Sequence, residues 1–271
     1  MDWFERQVSR RTFVGGGLAV AATWMLAACT KSASTATSSP GTATSVPSTA
    51  AATSVAPTAA ATATASPSPT ASSQVSTPAC VVRPEQTEGP YFVDEKLNRS
   101  DIRSDPSDGS VKDGVPLNLV FRVAKLTGAA CAALAGATVD VWHCDALGVY
   151  SDATDPSFNT KGKKFLRGYQ TTDANGNAAF TTIYPGWYQG RAVHIHFKIR
   201  TANNYSFTSQ LYFDDALTDQ VHAQAPYSSK GQGRLRNSGD GIFQNGGSQL
   251  LLNPSKTSNG YAATFDIGLQ M

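Results

Sequence analysis

Four side chains within a nine-residue span, Tyr188, Arg191, His194 and His196, have the types and spacing to do chemistry. The run Val193-His194-Ile195-His196-Phe197-Lys198-Ile199 reads as a strand. Strand side chains alternate between faces. Both imidazoles therefore point one way, while Val193, Ile195, Phe197 and Ile199 point the other way into a core. Neutral imidazole is the commonest metal ligand, and two residues apart on one face the pair can share an ion. A Pro185-Gly186 turn just upstream brings Trp187, Tyr188 and Arg191 to the same neighbourhood. The chain has four histidines, and two of them stand here.

The remaining donors narrow the metal. The sequence holds no H-E-x-x-H and no paired C-x-x-C, which disfavours a structural zinc site. Tyrosine is the better-supplied donor: Tyr188 lies across the turn, and the loop after Trp142 ends in Gly148-Val149-Tyr150. A phenol titrates near ~10 in water, but a highly charged cation can deprotonate it. Phenolate is a hard anionic donor, so two tyrosinates with two imidazoles suit Fe(III) over softer or less charged metals. From the residues alone, two readings stand: such a centre, or strand histidines and turn tyrosines that only pack and hydrogen-bond.

The elements that must position these groups are strands. Residues 79–271 alternate apolar and polar over Leu117–Val123, Ala137–His143, Phe165–Thr171, Asn177–Tyr184, the histidine strand, Phe207–Phe213 and Tyr261–Leu269, with turn signals such as Asp173-Ala174-Asn175-Gly176 between them. Many short strands with Gly- and Pro-rich turns predict an all-β domain, an antiparallel β-sandwich. The segments Asp145–Lys164 and Asp214–Pro254 show little regular pattern, and loops of that length usually wall or cover a site.

The first 78 residues read differently. Ser9-Arg10-Arg11-Thr12-Phe13-Val14 resembles a twin-arginine export signal, followed by an apolar run to Ala28. Leu26-Ala27-Ala28-Cys29 looks like a lipoprotein cleavage box, with Cys29 as the lipidated first mature residue. At about 15 residues with three consecutive glycines, the run is short of the ~20 needed to span a bilayer. Residues 30–78 are almost entirely Ser, Thr, Ala and Pro, and such a segment cannot offset its ordering entropy by burial. It is expected to be a disordered tether between a lipid anchor and an exported domain. The twin-arginine route carries proteins already folded, often with a cofactor in place, which fits a metal site downstream.

Charge excludes one class of partner. No charged residue lies between Lys31 and Arg83. Beyond Lys31 the chain holds 18 basic and 18 acidic residues, so no polyanion is called for and nucleic acid is not an expected partner. The cysteines are Cys29, Cys80, Cys131 and Cys144. An exported domain favours a disulfide. Cys131 and Cys144 sit at opposite ends of a strand, beyond bridging reach, so Cys80 with Cys131 is the preferred pair and Cys144 is left buried and free.

Several segments, in order, resemble those of intradiol ring-cleavage dioxygenases. They are Thr87-Glu88-Gly89-Pro90-Tyr91, Arg99-Ser100-Asp101-Ile102, Val141 to Tyr150, Ile183-Tyr184-Pro185-Gly186-Trp187-Tyr188, Arg191 to His196, and Ser209-Gln210-Leu211-Tyr212-Phe213. The likeness is closest to the protocatechuate 3,4-dioxygenase branch and its secreted single-chain relatives, and covers residues 80–271. It implies a non-heme Fe(III) cofactor held by Tyr150 and His194 as equatorial and Tyr188 and His196 as axial ligands, with Tyr188 displaced by substrate. It implies that Arg191 stabilises anionic substrate and intermediate, that Gln210 packs beside the substrate ring, and that Gly89 and Pro90 line the mouth. It leaves Tyr184 out of the iron site. The family's aromatic residue two positions past the axial tyrosine is Gly190 here, implying a roomier pocket.

The implied reaction opens a catechol between its two hydroxylated carbons with O2, giving a cis,cis-muconate. The metal would act as a Lewis acid and template, and Arg191 would supply fixed positive charge where negative charge develops. Two rival classes are a lipid-tethered, non-catalytic sandwich that binds an aromatic or sugar ligand, and an enzyme with copper or zinc on the His-x-His strand. Blander roles are expected elsewhere. His143 supports the sheet, His222 lies at the surface or mouth, Asp214 and Asp215 begin a turn, and Lys161, Lys163, Lys164 and Arg167 form a solvated basic face. Substrate identity and the choice between monomer and homodimer stay open.

Overall fold

In the computed structural model the described residues are 81–128 and 130–271. The expected signal (1–29), the tether (30–78), Cys29 and Cys80 lie outside the described residues. The strands are β1 (Pro116–Thr127), β2 (Ala130–Ala133), β3 (Thr138–Trp142), β4 (Thr154–Asp155), β5 (Phe158–Asn159), β6 (Arg167–Thr171), β7 (Asn177–Ile183), β8 (His194–Arg200), β9 (Ser206–Tyr212), β10 (Ser255–Lys256) and β11 (Tyr261–Leu269). Two helices, α1 (Asp215–His222) and α2 (Gly241–Gln244), fall between β9 and β10.

Two sheets form the predicted sandwich. One orders as β6-β3-β8-β9, antiparallel throughout. The other centres on β1, flanked by β11 on one edge and by β7 and β2 on successive halves of the other. The β1–β11 pairing is parallel, a departure from the all-antiparallel expectation. Strands so far apart in the chain have no tight turn to set their direction. The Asp173–Gly176 turn does not close a hairpin; it passes the chain from β6 in one sheet to β7 in the other.

Alternation dictates the core. Leu117, Leu119, Phe121 and Val123 of β1 face Val139 and Val141 of β3 and Ile195, Phe197 and Ile199 of β8. Phe121 lies 5.1 Å from Phe197, and Phe265 of β11 lies 5.6 Å from it. Each such ring removed from water contributes about 1.5–3 kcal/mol. With that face committed to the core, His194 and His196 are forced onto the opposite face, where loops bury them.

The covering comes from three segments. The strand-free stretch from residue 84 to 99 straps across the β6-β3-β8-β9 sheet, bonding Gln86 N to Thr208 O (3.0 Å) and Tyr169 N to Leu97 O (2.8 Å). The segment after β3 folds into the small β4–β5 hairpin. The long segment after β9 is not patternless: Asp214 caps α1 by accepting from Ala216 N and Leu217 N (2.9 and 3.0 Å), and Asp240 caps α2. Asp214 therefore begins a helix rather than a simple turn. Cys131 is disulfide-bonded, with its partner outside the described residues, and Cys144 is a buried free thiol.

Candidate active site

His194 and His196 meet edge to edge, Nε2 to Nε2 at 3.0 Å. The Nδ1 of His194 lies 2.6 Å from the carbonyl of Ala192, which can only accept. Nδ1 therefore carries the proton, and the Nε2 lone pair faces inward. Burial lowers the His194 pKa to about 3, with the Arg191 charge adding to the effect. Burial, then the charge of His194, pushes His196 well below its ordinary value. Both rings are neutral at ordinary pH, the form a metal binds.

Neighbouring strands fix His196 on two sides. Its cross-strand partner Trp142 stacks flat on it at 5.0 Å, and Gln210 is its register partner on β9. On the open edge, a Cβ on Gly89 would come within 3.1 Å of its Cε1, and Gly89 has φ +74°. Only glycine lets the strap lie so close to this ring. The buried Nδ1 of His196 has no partner among the described residues.

Tyr150 reaches the same point from the loop after β3. The Asp145 carboxylate organises that loop by accepting from Leu147 N and Val149 N, both at 3.0 Å, while Lys112 pairs with it at 2.9 Å. The Tyr150 hydroxyl ends 3.1 Å from His194 Nε2, on a fully buried ring whose pKa is raised by desolvation. Tyr150 Oη, His194 Nε2 and His196 Nε2 thus converge as three inward-facing donors.

Tyr188 comes from the Pro185-Gly186 turn, which is pinned to the Tyr150 loop by Gly186 N donating to Asp145 O (3.1 Å). Its ring stands edge-on to Tyr150, centroids 5.7 Å apart. Its hydroxyl, however, turns to Asp155 Oδ2 (2.7 Å) and to the Tyr91 hydroxyl (2.8 Å), and Tyr91 also donates to Asp155 (2.6 Å). Three oxygens therefore share two phenolic protons. Hydrogen bonds from Ser157, Tyr91 and Tyr188 hold the Asp155 carboxyl well below the usual carboxylate range, while burial raises the pKa of Tyr91 and of Tyr188.

Arg191 is held by two partners: Nε donates to Asp240 Oδ2 (2.9 Å) and Nη2 to Gln210 Oε1 (2.6 Å). Asp240 also accepts from Ala192 N (2.8 Å), so one carboxylate fixes both the guanidinium and the entry to β8. Gln210 in turn donates to Thr87 O (2.8 Å), linking it to the strap that carries Gly89 and the exposed Pro90.

Other expectations sort clearly. His143 is buried, with both nitrogens engaged, by Cys144 O (2.8 Å) and Thr182 Oγ1 (2.7 Å), and burial lowers its pKa to about 4. Tyr184 packs on Phe213 and meets Thr218 Oγ1 at 2.7 Å, apart from the cluster. His222 is partly exposed and away from the imidazole pair, stacked on Tyr227 with Nε2 3.0 Å from Pro185 O. The basic face is half right. Lys161, Lys163 and Lys164 pair with Asp152, Asp108 and Glu95 near the surface. Arg167 is 3% exposed and donates to Ser151 Oγ (2.7 Å) and Tyr91 O (3.2 Å). It begins β6 opposite Trp142, and that register, invisible in a run of basic residues, turns it inward. Tyr91, Asp155 and Asp240 are thus site residues that sequence reasoning left unassigned, and Arg167 is one it placed in solvent. Tyr91 stood inside a quoted motif, while the other three meet the site only through long-range packing. Open space surrounds Gly190.

With this geometry in place, comparison with known proteins is informative. A family model described as "Dioxygenase" matches residues 87–270. The chain is 30% identical over 148 residues to a catechol 1,2-dioxygenase of Candida albicans, 46% of either protein. It spans about half the length of the curated relatives it matches. Among solved structures it is similar to an intradiol ring-cleavage dioxygenase from Tetranychus urticae (30% identity, TM-score 0.62, covering 70% of this chain and 94% of that one). It is also similar to the dioxygenase domain of a dioxygenase–carbohydrate-binding fusion from Streptomyces sp. SirexAA-E (32% identity, TM-score 0.51, covering 70% of this chain and 99% of that one).

Proposed function

This chain belongs to the intradiol ring-cleavage dioxygenase family, and from that premise we propose that it opens a catechol between its two hydroxylated carbons with O2, giving a cis,cis-muconate-type product at a non-heme Fe(III) centre. The observation that carries the proposal is the convergence of the buried Tyr150 Oη, His194 Nε2 and His196 Nε2 at 3.0–3.1 Å. The donor set fits a ferric ion. Two imidazoles kept neutral by burial offer lone pairs, phenols offer hard anionic oxygen, and the glycine at 89 leaves the His196 edge clear. Tyr150, Tyr188, His194 and His196 would hold the metal. When bound, Fe(III) supplies Lewis-acid activation of the diol and a template for its orientation.

The chain's own groups carry the remaining steps. Ala192 O fixes the His194 tautomer, and Trp142 fixes the plane of the His196 ring. Tyr188, as phenolate, takes a proton from a substrate hydroxyl onto Oη and holds it against Asp155 and Tyr91, where its hydroxyl lies in this structure. Arg191, preset by Asp240 and Gln210, places positive charge beside the ring as negative charge grows on it. Gln210 closes the side next to His196.

The proposal extends to location. Residues 1–29 act as a twin-arginine lipoprotein signal, Cys29 carries the lipid, and residues 30–78 tether the domain of residues 79–271 at the outer face of the membrane. The test of the central claim is simple. Iron-loaded, full-length protein is expected to be wine-red from tyrosinate-to-iron charge transfer and to consume O2 with catechol, protocatechuate or hydroxyquinol. A colourless protein with iron bound would overturn it.

A further inference from the structure

Beside the candidate site lies a cavity of about 510 Å³ that the family chemistry leaves unassigned. Its walls include Leu147, Val149, Phe158, Trp187, Tyr188 and Lys230. Tyr188 is shared with the site, Val149 directly precedes Tyr150, and Phe158 packs against Tyr91 at 6.3 Å. The cavity therefore borders the cluster that would grip the diol, with Tyr188 as the wall between them. Its volume is in the range of pockets that take ligands larger than a bare dihydroxybenzene.

The lining is aromatic and apolar with one cation. The Lys230 ammonium lies 4.3 Å from the Trp187 ring centroid and donates to Trp187 O (2.7 Å) and to Leu147 O. These contacts include no carboxylate, and an ammonium has three protons to donate. The seat is built for it. Gly148 has φ +80°, and a Cβ there would lie 2.0 Å from Nζ and 2.2 Å from Trp187 O, so only glycine lets the two loops and the ammonium close together. Burial lowers the Lys230 pKa, and the nearby Asp145 charge offsets this only in part. The other lysines near the β4–β5 hairpin, Lys161 and Lys163, already pair with aspartates.

We infer that this cavity takes the side arm of a catechol whose arm ends in a carboxylate, with the arm between Phe158 and Trp187 and the carboxylate on Lys230. The inference rests on the catechol reading of the neighbouring site and names its substrate class: dihydroxyphenyl rings with a short anionic arm. Lys230 is the specificity-determining residue, acting on binding of the arm rather than on ring opening.

The test compares dihydrocaffeate, a catechol with a carboxylate on a two-carbon arm, with its neutral amide of the same shape. Calorimetric binding to the iron-loaded full-length protein should favour the acid by about tenfold, the size expected of a charge-assisted hydrogen bond at a partly exposed site. Lys230→Gln, which can still donate to a carbonyl, should bring that ratio to about one, and Lys230→Arg should keep most of it. Equal binding of acid and amide by the unaltered protein overturns the inference, as does a ratio that survives Lys230→Gln. Turnover of bare catechol is scored separately. Ring opening without acid preference sinks the pocket assignment alone, whereas acid preference without ring opening sinks the dioxygenase proposal and leaves the pocket standing.

Discussion

The site has a strand-borne half and a loop-borne half, and they are held by different means. On β8 and at its entry, His194, His196 and Arg191 are each fixed by backbone register or a buried partner: Ala192 O, stacked Trp142, and Asp240 with Gln210. From the loops, Tyr150 is locked by burial, but Tyr188 is only partly buried and bonds to a tyrosine and a carboxylate outside the imidazole cluster. The strand half cannot move without unpairing a sheet. The loop half can exchange one hydroxyl's partners at the cost of about one hydrogen bond. A reaction that needs a fixed cradle and one displaceable group finds both here, and the division suggests where each perturbation should act.

The largest effect is expected where the two halves meet. Tyr150→Phe keeps the ring stacked on Tyr91 but removes the oxygen that faces His194. If that oxygen holds the proposed metal, its loss removes several kcal/mol of transition-state stabilisation, so ring opening should fall about a thousandfold or more, with the visible band lost or strongly shifted. Unchanged colour and rate in Tyr150→Phe would show that the halves do not join at this atom. On the strand side, Arg191→Ala should lower kcat/KM about a hundredfold, the scale of removing one preorganised charge donor. The visible band should persist, because the imidazoles keep their own supports. If Arg191→Ala bleached the protein, the strand half would be less independent than its hydrogen bonds indicate.

The two halves also differed in how far they could be read from sequence. The strand half was legible because alternation is local: once Ile195, Phe197 and Ile199 commit to the core, the faces of His194 and His196 follow. The loop residues Tyr150 and Tyr188 stood as candidate donors by residue type alone, and their pairing with the histidines came through motif likeness, since nothing local says that a tyrosine after Trp142 meets one after Pro185. Asp155, Arg167 and Asp240 were missed because their roles arise only from long-range contact. Arg167 in particular sat in a basic run that looks solvated until strand register buries it. Strand β2 escaped notice because Ala-Cys-Ala-Ala carries no alternation, and the parallel β1–β11 pairing because partner choice between distant strands leaves no local trace.

His143 probes the support beneath both halves, through Cys144 on the loop side and Thr182 on β7. Burial lowers its pKa to about 4 from an ordinary value near ~6.5. The unfolded chain therefore binds a proton that the folded one refuses between those values. The contribution is whole above about pH 6.5 and is lost as pH falls toward 4, by about 2 kcal/mol between pH 7 and pH 5. Asp140, raised to about 6 by burial, works in the opposite sense, gaining stability as pH falls over the range below 6. His143→Gln should therefore remove its share of the stability loss in denaturant titrations from pH 7 to pH 5, leaving the part that buried His194 and His196 contribute with the same sign. An unaltered pH slope would show that His143 does not govern it.

The smallest effect should separate what Asp155 does from what Tyr188 does. Asp155 accepts from Tyr91 and Tyr188 at the same oxygen, and Ser157 anchors its other oxygen. Asp155→Asn replaces an anion that accepts at both oxygens by a neutral group that accepts at one and donates at the other. The Tyr188 hydroxyl loses its charged acceptor but keeps Tyr91. A change of that kind, at a partly exposed position, should lower kcat about tenfold or less. If Asp155 acts by holding Tyr188 when it leaves the centre, the double variant with Tyr188→Phe should be no slower than Tyr188→Phe alone, because neighbours in one network are not additive. Independent, multiplying losses would mean that Asp155 serves the β4–β5 hairpin rather than the tyrosine. The loop half would then be as rigid as the strand half, and displacement of Tyr188 would need another acceptor.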